Sequence, residues 1–201
     1  MALNFCNNNS LSSITSLPSG ISGGGLNLIS TQTASSSSTL DFTTGIDSTY
    51  KEYVFKFYNM HPNTNNVYFQ VNFRDGDTNY DATKTTSFFR AIHNEADTDT
   101  ILQYRTDSDL AQSTSAQRLN DGGIGNGDDE SISGTLHLFE VSSTTFVKNF
   151  ICRTAGYDQG DYILDCYIAG YLNTTNPIDG VQFSFSSGNI DSGVIKLYGV
   201  S

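Results

Sequence analysis

The chain has 201 residues, the size of one domain or of one domain with an appendage. A compact chain of this length buries about two thirds of its unfolded surface, so it needs no disulfide or metal for stability. Its formal net charge of −11, from 21 acidic and 10 basic residues, disfavours binding to nucleic-acid phosphates and to anionic membranes. Ala and Leu are scarce, while Tyr and Phe supply 11 and 13 side chains, which favours strands over helices.

Residues 1–25 are predicted to form an N-terminal arm. They are rich in Asn, Ser and Gly, which offer little surface to bury. Apolar residues nevertheless recur through the arm: Leu3, Phe5, Leu11, Ile14, Leu17 and Ile21. We interpret them as anchors that dock onto a neighbouring subunit or another protein, the alternative being that they pack on their own domain. The arm lacks the basic and apolar regions of a signal peptide, so we expect a protein made in the cytoplasm.

Residues 26–201 are predicted to form a single all-β domain. Short segments alternate with period two and are separated by Gly, Asn and Asp turns, most clearly in Val67–Phe73. The predicted strands are Leu26–Ala34, Thr39–Thr43, Tyr50–Asn59, Val67–Phe73, Thr86–His93, Thr100–Tyr104, Gly134–Val141, Thr145–Arg153, Tyr162–Tyr171, Val181–Ser186 and Gly193–Val200. The segment Asp107–Leu119 has room for one turn of helix. This spacing predicts an antiparallel β-sandwich of jelly-roll type.

One loop places oxygen-bearing side chains at every second position. These residues are Asp75, Asp77, Asn79 and Asp81. The spacing is similar to the opening of a calcium loop, but an EF-hand requires Gly and Glu where this chain has Tyr80 and Thr86. We predict a hairpin turn rich in Asp and Asn, with a Ca²⁺ site as the alternative.

The sequence carries no signature of a catalytic site. Gly122–Gly127 lacks the Lys of a P-loop and is followed by Asp128–Glu130, which would repel phosphate. His61, His93 and His137 are scattered and indicate neither a metal site nor a Ser-His-Asp triad. We therefore expect a non-catalytic protein. A carboxylate pair formed across strands, as in a polysaccharide hydrolase, stays open as an alternative.

Two further residue types allow structural interpretations. Four tyrosines are candidates either for core and interface packing or for an exposed sugar-stacking platform near Asp75–Asp81: Tyr68, Tyr80, Tyr157 and Tyr171. The three cysteines, Cys6, Cys152 and Cys166, are odd in number and have no metal-ligand spacing. We interpret Cys152 and Cys166 as buried free thiols on neighbouring strands.

Three blocks of sequence carry a resemblance to a known family. They are Leu28–Tyr50, Gly134–Phe146 and the C-terminal block Ser186–Val200, with its SSGNI-x-SG-x-IKLYG pattern. In this order they resemble a family of small structural proteins of tailed bacteriophages, including phages of marine bacteria and cyanobacteria. The resemblance covers most of residues 26–201 and implies a component of the virion.

Together these observations predict a non-catalytic accessory protein of the virion, either a head-decoration (cement) protein or a tail or fibre component. Its expected partners are other capsid or tail proteins and further copies of itself, as a trimer, because symmetric association covers sheet edges and aromatic faces. No nucleic-acid or membrane partner is expected. The alternative is a module of a tail fibre that binds host glycans.

Overall fold

The computed structural model describes residues 25–201, and in this part of the chain all regular secondary structure is β-strand. The first six strands are β1 (Leu26–Thr33), β2 (Leu40–Phe42), β3 (Glu52–Pro62), β4 (Phe69–Arg74), β5 (Lys84–Asn94) and β6 (Thr100–Tyr104). The last six are β7 (Gln117–Arg118), β8 (Ile132–Phe139), β9 (Lys148–Tyr157), β10 (Tyr162–Leu172), β11 (Gly180–Phe185) and β12 (Ile190–Val200). Residues 25–201 include no helix long and apolar enough to cross a membrane.

The strands form two antiparallel sheets of unequal size. The large sheet has eight strands in the order β1-β12-β3-β8-β9-β10-β5-β6, and the small sheet has four in the order β2-β11-β4-β7. The inner faces of the two sheets pack together, which confirms the predicted antiparallel β-sandwich. Since the large sheet has twice as many strands, the small sheet covers only part of its inner face.

Aromatic side chains fill the space between the sheets. In β4, Phe69, Val71 and Phe73 all point inward and are fully buried, as the alternation predicts. Phe183 of β11 lies at the centre, and its ring centroid is 5.4 Å from that of Phe55 and 5.8 Å from that of Phe69. Offset and edge-on contacts of this kind add to the gain from burying apolar surface.

The segment between β6 and β8 covers the part of the large sheet that the small sheet leaves free. Lys84 of β5 pairs with Ser113, and the Thr86 hydroxyl donates a 2.6 Å hydrogen bond to the Gln117 side-chain oxygen. One isolated turn lies at the start of Asp107–Leu119, where the Asp109 N–H donates to the Arg105 carbonyl at 3.2 Å, and no helix follows it. The rest of this backbone is held by the buried polar side chains of β5 and by the short strand β7.

Two cysteines lie on neighbouring strands of the large sheet. Cys152 of β9 faces Ile168, and Cys166 of β10 faces Thr154, so the thiols are diagonal neighbours on the inner face. Both are free and buried, in agreement with the interpretation of the sequence. Burial raises the pKa of the Cys152 thiol well above its ordinary value and that of Cys166 to about 12. These thiols behave as small apolar side chains.

Candidate binding face of the large sheet

The outer face of the large sheet carries most of the exposed large apolar side chains among residues 25–201. Nine large apolar side chains are exposed in this part of the chain, and eight of them lie on this face, on six of its eight strands. These eight are Leu26, Leu28, Tyr58, Phe89, Leu102, Tyr104, Ile151 and Ile163. The ninth, Phe146, is in the loop between β8 and β9.

The outer face of the small sheet is different. Its outward positions on β4 and β11 hold Gln70, Asn72, Gln182 and Ser184. An antiparallel sheet that faces water on one side has polar residues of this kind at its outward positions. The outward positions of the large sheet are mixed, since eight large apolar side chains lie there beside charged ones such as Lys56, Arg153 and Asp165. Exposed apolar side chains bordered by polar residues are typical of protein interaction surfaces.

A row of three stacked side chains stands in the middle of the outer face of the large sheet. Arg153, Tyr167 and Phe89 are directly opposite one another on β9, β10 and β5. The rings of Phe89 and Tyr167 are parallel, with centroids 4.8 Å apart, and the Arg153 guanidinium carbon lies 4.7 Å from the Tyr167 centroid. Both faces of the Tyr167 ring are therefore covered by neighbours, which leaves its edge for a partner.

A carboxylate fixes the position of this row. Asp165 accepts hydrogen bonds from Arg153 Nε at 3.0 Å and Nη2 at 2.9 Å, and from the Tyr167 hydroxyl at 3.1 Å. The Arg153 guanidinium lowers the pKa of the Asp165 carboxyl, and the same hydrogen bonds raise the pKa of Arg153. Desolvation, followed by the bond to Asp165, raises the pKa of the Tyr167 hydroxyl. The row is held in place before any partner binds.

A groove of about 410 Å³ runs beside the row. Small side chains of Ala169 and Ser87 are opposite each other on β10 and β5 and line it, while Ile151 and His137 flank it on β9 and β8. His137 Nδ1 lies 2.5 Å from Glu52 Oε1, which orients the imidazole ring. The groove thus combines apolar walls with a few fixed polar groups, as binding pockets commonly do.

The four tyrosines proposed from the sequence do not form a single cluster. Tyr157 and Tyr171 lie toward opposite ends of the β9–β10 pair, about 27 Å apart at ~3.4 Å per residue. Tyr68 precedes β4 of the small sheet, where its ring lies under the Arg118 guanidinium carbon at 3.9 Å, and Tyr80 follows β4 in the Asp75–Asp81 loop. The four tyrosines are therefore separated by their positions along the strands and by their division between the two sheets.

The Asp75–Asp81 loop follows β4 as a turn. Asp77 accepts hydrogen bonds from the backbone and the side chain of Asn79, which is the local turn chemistry expected of Asp and Asn. No three His, Cys, Asp or Glu side chains converge as a metal site anywhere in residues 25–201. The Ca²⁺ alternative for Asp75, Asp77, Asn79 and Asp81 stays a prediction.

Two charged sites were not anticipated from the sequence. Asp121, with only 5% of its side chain exposed, lies 2.6 Å from Arg105 Nε and 3.1 Å from Arg90 Nη1. The short Arg105 contact is an ion pair that lacks the alignment of a hydrogen bond. This cluster ties the segment after β6 to β5. A second site, an open groove near the end of β3, is lined by Asp128, Asp129, Glu130, Asp191 and His61.

The arm anchors lie outside the described residues. Leu3, Phe5, Leu11, Ile14 and Leu17 precede residue 25, so their docking stays a prediction. Comparison with known proteins adds no assignment: the chain matches no protein-family model, no curated protein and no solved structure.

Proposed function

We propose that this chain is a non-catalytic structural subunit of a tailed-bacteriophage virion, as a head-decoration or cement protein or as a tail or fibre component. The observation that supports this proposal most directly is the open, apolar outer face of the large sheet. The resemblance of the three sequence blocks to phage structural proteins supplies the kind of particle. Other virion proteins and further copies of the chain are the proposed partners.

The chemistry of the face suits association between proteins. Aromatic and Arg side chains dominate the energetics of protein interfaces, and Phe89, Tyr167 and Arg153 present that combination in a fixed geometry. Lys56 and Lys196, opposite each other on β3 and β12, place two of the ten basic residues on the same face. An acidic protein that presents an apolar face with basic groups is suited to dock on an apolar and acidic surface.

The test is to locate the chain in purified particles of the phage whose genome encodes it. Quantitative mass spectrometry should find it in fixed stoichiometry with the major capsid or tail proteins, and cryo-electron microscopy should show the sandwich on the particle. An Ile151→Asp variant should lose incorporation, while a matched Gln182→Asp variant on the outer face of the small sheet should keep it. Absence of the wild-type chain from washed particles would overturn the proposal.

Host-glycan binding is the second candidate, and the groove beside the stacked row favours it. Sugars are bound by aromatic rings together with charged and polar groups, and the Phe89 side chain beside the groove is 40% exposed. A glycan array probed with the purified chain should then show binding that a Phe89→Ala variant loses. Binding that is unchanged in this variant, or no binding to any glycan, would remove this candidate.

A further inference from the structure

We propose that the chain forms a two-fold symmetric dimer in which the β6 edges of two large sheets pair as antiparallel strands. Leu102 of each copy lies opposite Leu102 of the other, so the two eight-stranded sheets continue into one another. The result is a dimer, in contrast to the trimer expected from the sequence. The proposal concerns the purified chain and does not depend on the proposed function.

The edge of β6 that faces away from β5 presents backbone groups without partners. The Arg105 N–H, just after β6, donates to the Phe88 oxygen of β5 at 2.8 Å. Hydrogen bonding alternates along an antiparallel pair, so the odd-numbered residues of β6 bond to β5. The N–H and C=O groups of Thr100, Leu102 and Tyr104 therefore point to the open edge. No backbone group of residues 25–201 is bonded to them there.

The other sheet edges in residues 25–201 carry protection that β6 lacks. On the small sheet, β2 and β7 have only three and two residues, and β1 has a register shift between Leu28 and Ser30. Short strands and bulges limit pairing with another chain. Strand β6 is in unbroken register with β5 and contains no charged residue and no proline. At its centre, Leu102 is 77% exposed, the highest value for a large apolar side chain in this part of the protein. This edge is open to a further strand.

A second copy fits this edge because β6 is complementary to itself in one register. When the two-fold axis passes between the two Leu102 residues, Thr100 lies opposite Tyr104 of the second copy, and every outward group of β6 has a partner. An axis at any other residue of β6 shortens the ladder. The same register places Asp99 opposite Arg105 of the second copy, so opposite charges flank the ladder at both ends. A leucine pair at the centre and complementary charges at the ends favour a second copy as the occupant.

Pairing at this edge joins the outer faces of two large sheets. The two-fold axis stands perpendicular to the sheet, so both outer faces lie on the same side of the dimer. Tyr104 is opposite Phe89 on β5, which extends the row of Arg153, Tyr167 and Phe89 to the joined edge. The contact leaves the outer face open and links two copies of it. Linked faces bind a repeating surface more tightly than one face alone.

Sedimentation equilibrium of the full chain at micromolar concentration tests the contact. The wild type should be in equilibrium between monomer and dimer. Leu102→Lys should raise the dimer dissociation constant more than about tenfold, because two like charges then lie directly opposite each other. Phe146→Lys is the matched control, since Phe146 is also exposed, at 73%, but lies in the loop between β8 and β9. This control and Ile151→Lys, in the middle of the outer face, should leave the dissociation constant unchanged.

Cysteine cross-linking tests the register. The variants carry Cys6→Ser, and the other two native thiols are buried. Leu102→Cys should form a disulfide between copies on oxidation, because hydrogen-bonded residues opposite each other have Cα atoms ~5.5 Å apart. Thr100→Cys and Tyr104→Cys should each cross-link poorly alone, since identical positions are then about 14 Å apart at ~3.4 Å per residue. A mixture of these two variants should cross-link readily.

The outcomes separate this contact from other kinds of association. Loss of the dimer in Leu102→Lys alone, together with the cross-link in the mixture, supports the proposal. A wild type that stays monomeric, a trimer, a dimer that Leu102→Lys leaves unchanged or a dimer that Ile151→Lys abolishes would overturn it. Absence of the chain from phage particles contradicts the proposed function and leaves this contact standing.

Discussion

Burial of Lys84 should make the stability of this protein depend on pH in an unusual direction. The Lys84 side chain is fully buried, and its ammonium group donates to the backbone oxygens of Ser115 at 2.8 Å and Thr114 at 3.4 Å. No carboxylate in residues 25–201 forms an ion pair with it. Desolvation lowers the pKa of Lys84 from 10.5 to about 8, and attraction to Asp81 offsets only part of this.

The size and the sign follow from proton linkage. A pKa lowered from 10.5 to about 8 corresponds to about 3 kcal/mol of destabilisation, because one pKa unit is about 1.4 kcal/mol. Between these two pH values the unfolded chain binds more protons than the folded chain, so this contribution to the free energy of unfolding rises with pH. The destabilisation is complete below about pH 8 and disappears above about pH 10.5, and about 2 kcal/mol is recovered between pH 7 and pH 9.5.

Urea unfolding of the wild type and of Lys84→Met, followed by circular dichroism from pH 7 to pH 9.5, measures this effect. The wild type should gain about 2 kcal/mol relative to the variant across this range. Titration of the tyrosines is common to both proteins and cancels in the difference. Lys51→Met is the control for removing a lysine from an exposed site, since the Lys51 side chain is 82% exposed and pairs with Glu140 at the surface. A Lys84→Met difference that does not change with pH would refute the reasoning.

Three further predictions test the core and the buried polar sites. Phe183→Ala should lower the free energy of unfolding in urea by about 3–5 kcal/mol, because the Phe183 side chain is fully buried. Phe146→Ala should lower it by less than about 0.5 kcal/mol, because the Phe146 side chain is 73% exposed. Similar losses in the two variants would contradict the packing. Asp121→Asn should cost about 3–5 kcal/mol, because Arg90 and Arg105 lose their shared carboxylate; an unchanged Tm would contradict this. Cys152 and Cys166 should react with a thiol reagent only after denaturation, so rapid labelling of either in native protein would contradict their burial.

The strand pattern could be predicted where one face of a strand is polar. Val67–Phe73 shows this best, because its apolar residues alternate with polar ones, and β4 lies within that range with every predicted core residue buried. The two-residue strand β7 was missed because it is too short for a period to be visible. The conformation of Asp107–Leu119 depends on side chains of β5 that are distant in sequence, so no local pattern reveals it.

The apolar outer face was missed for a different reason. The period-two alternation predicts one buried and one solvated face, but β9 and β10 have apolar residues in both phases. Phe150, Ile151 and Cys152 are consecutive, as are Tyr162, Ile163 and Leu164. Apolar residues in both phases of neighbouring strands indicate a sheet with two apolar faces, so this pattern in β9 and β10 was the sequence signal for the apolar outer face. The burial of Lys84 could not be predicted, since it depends on the segment that covers β5.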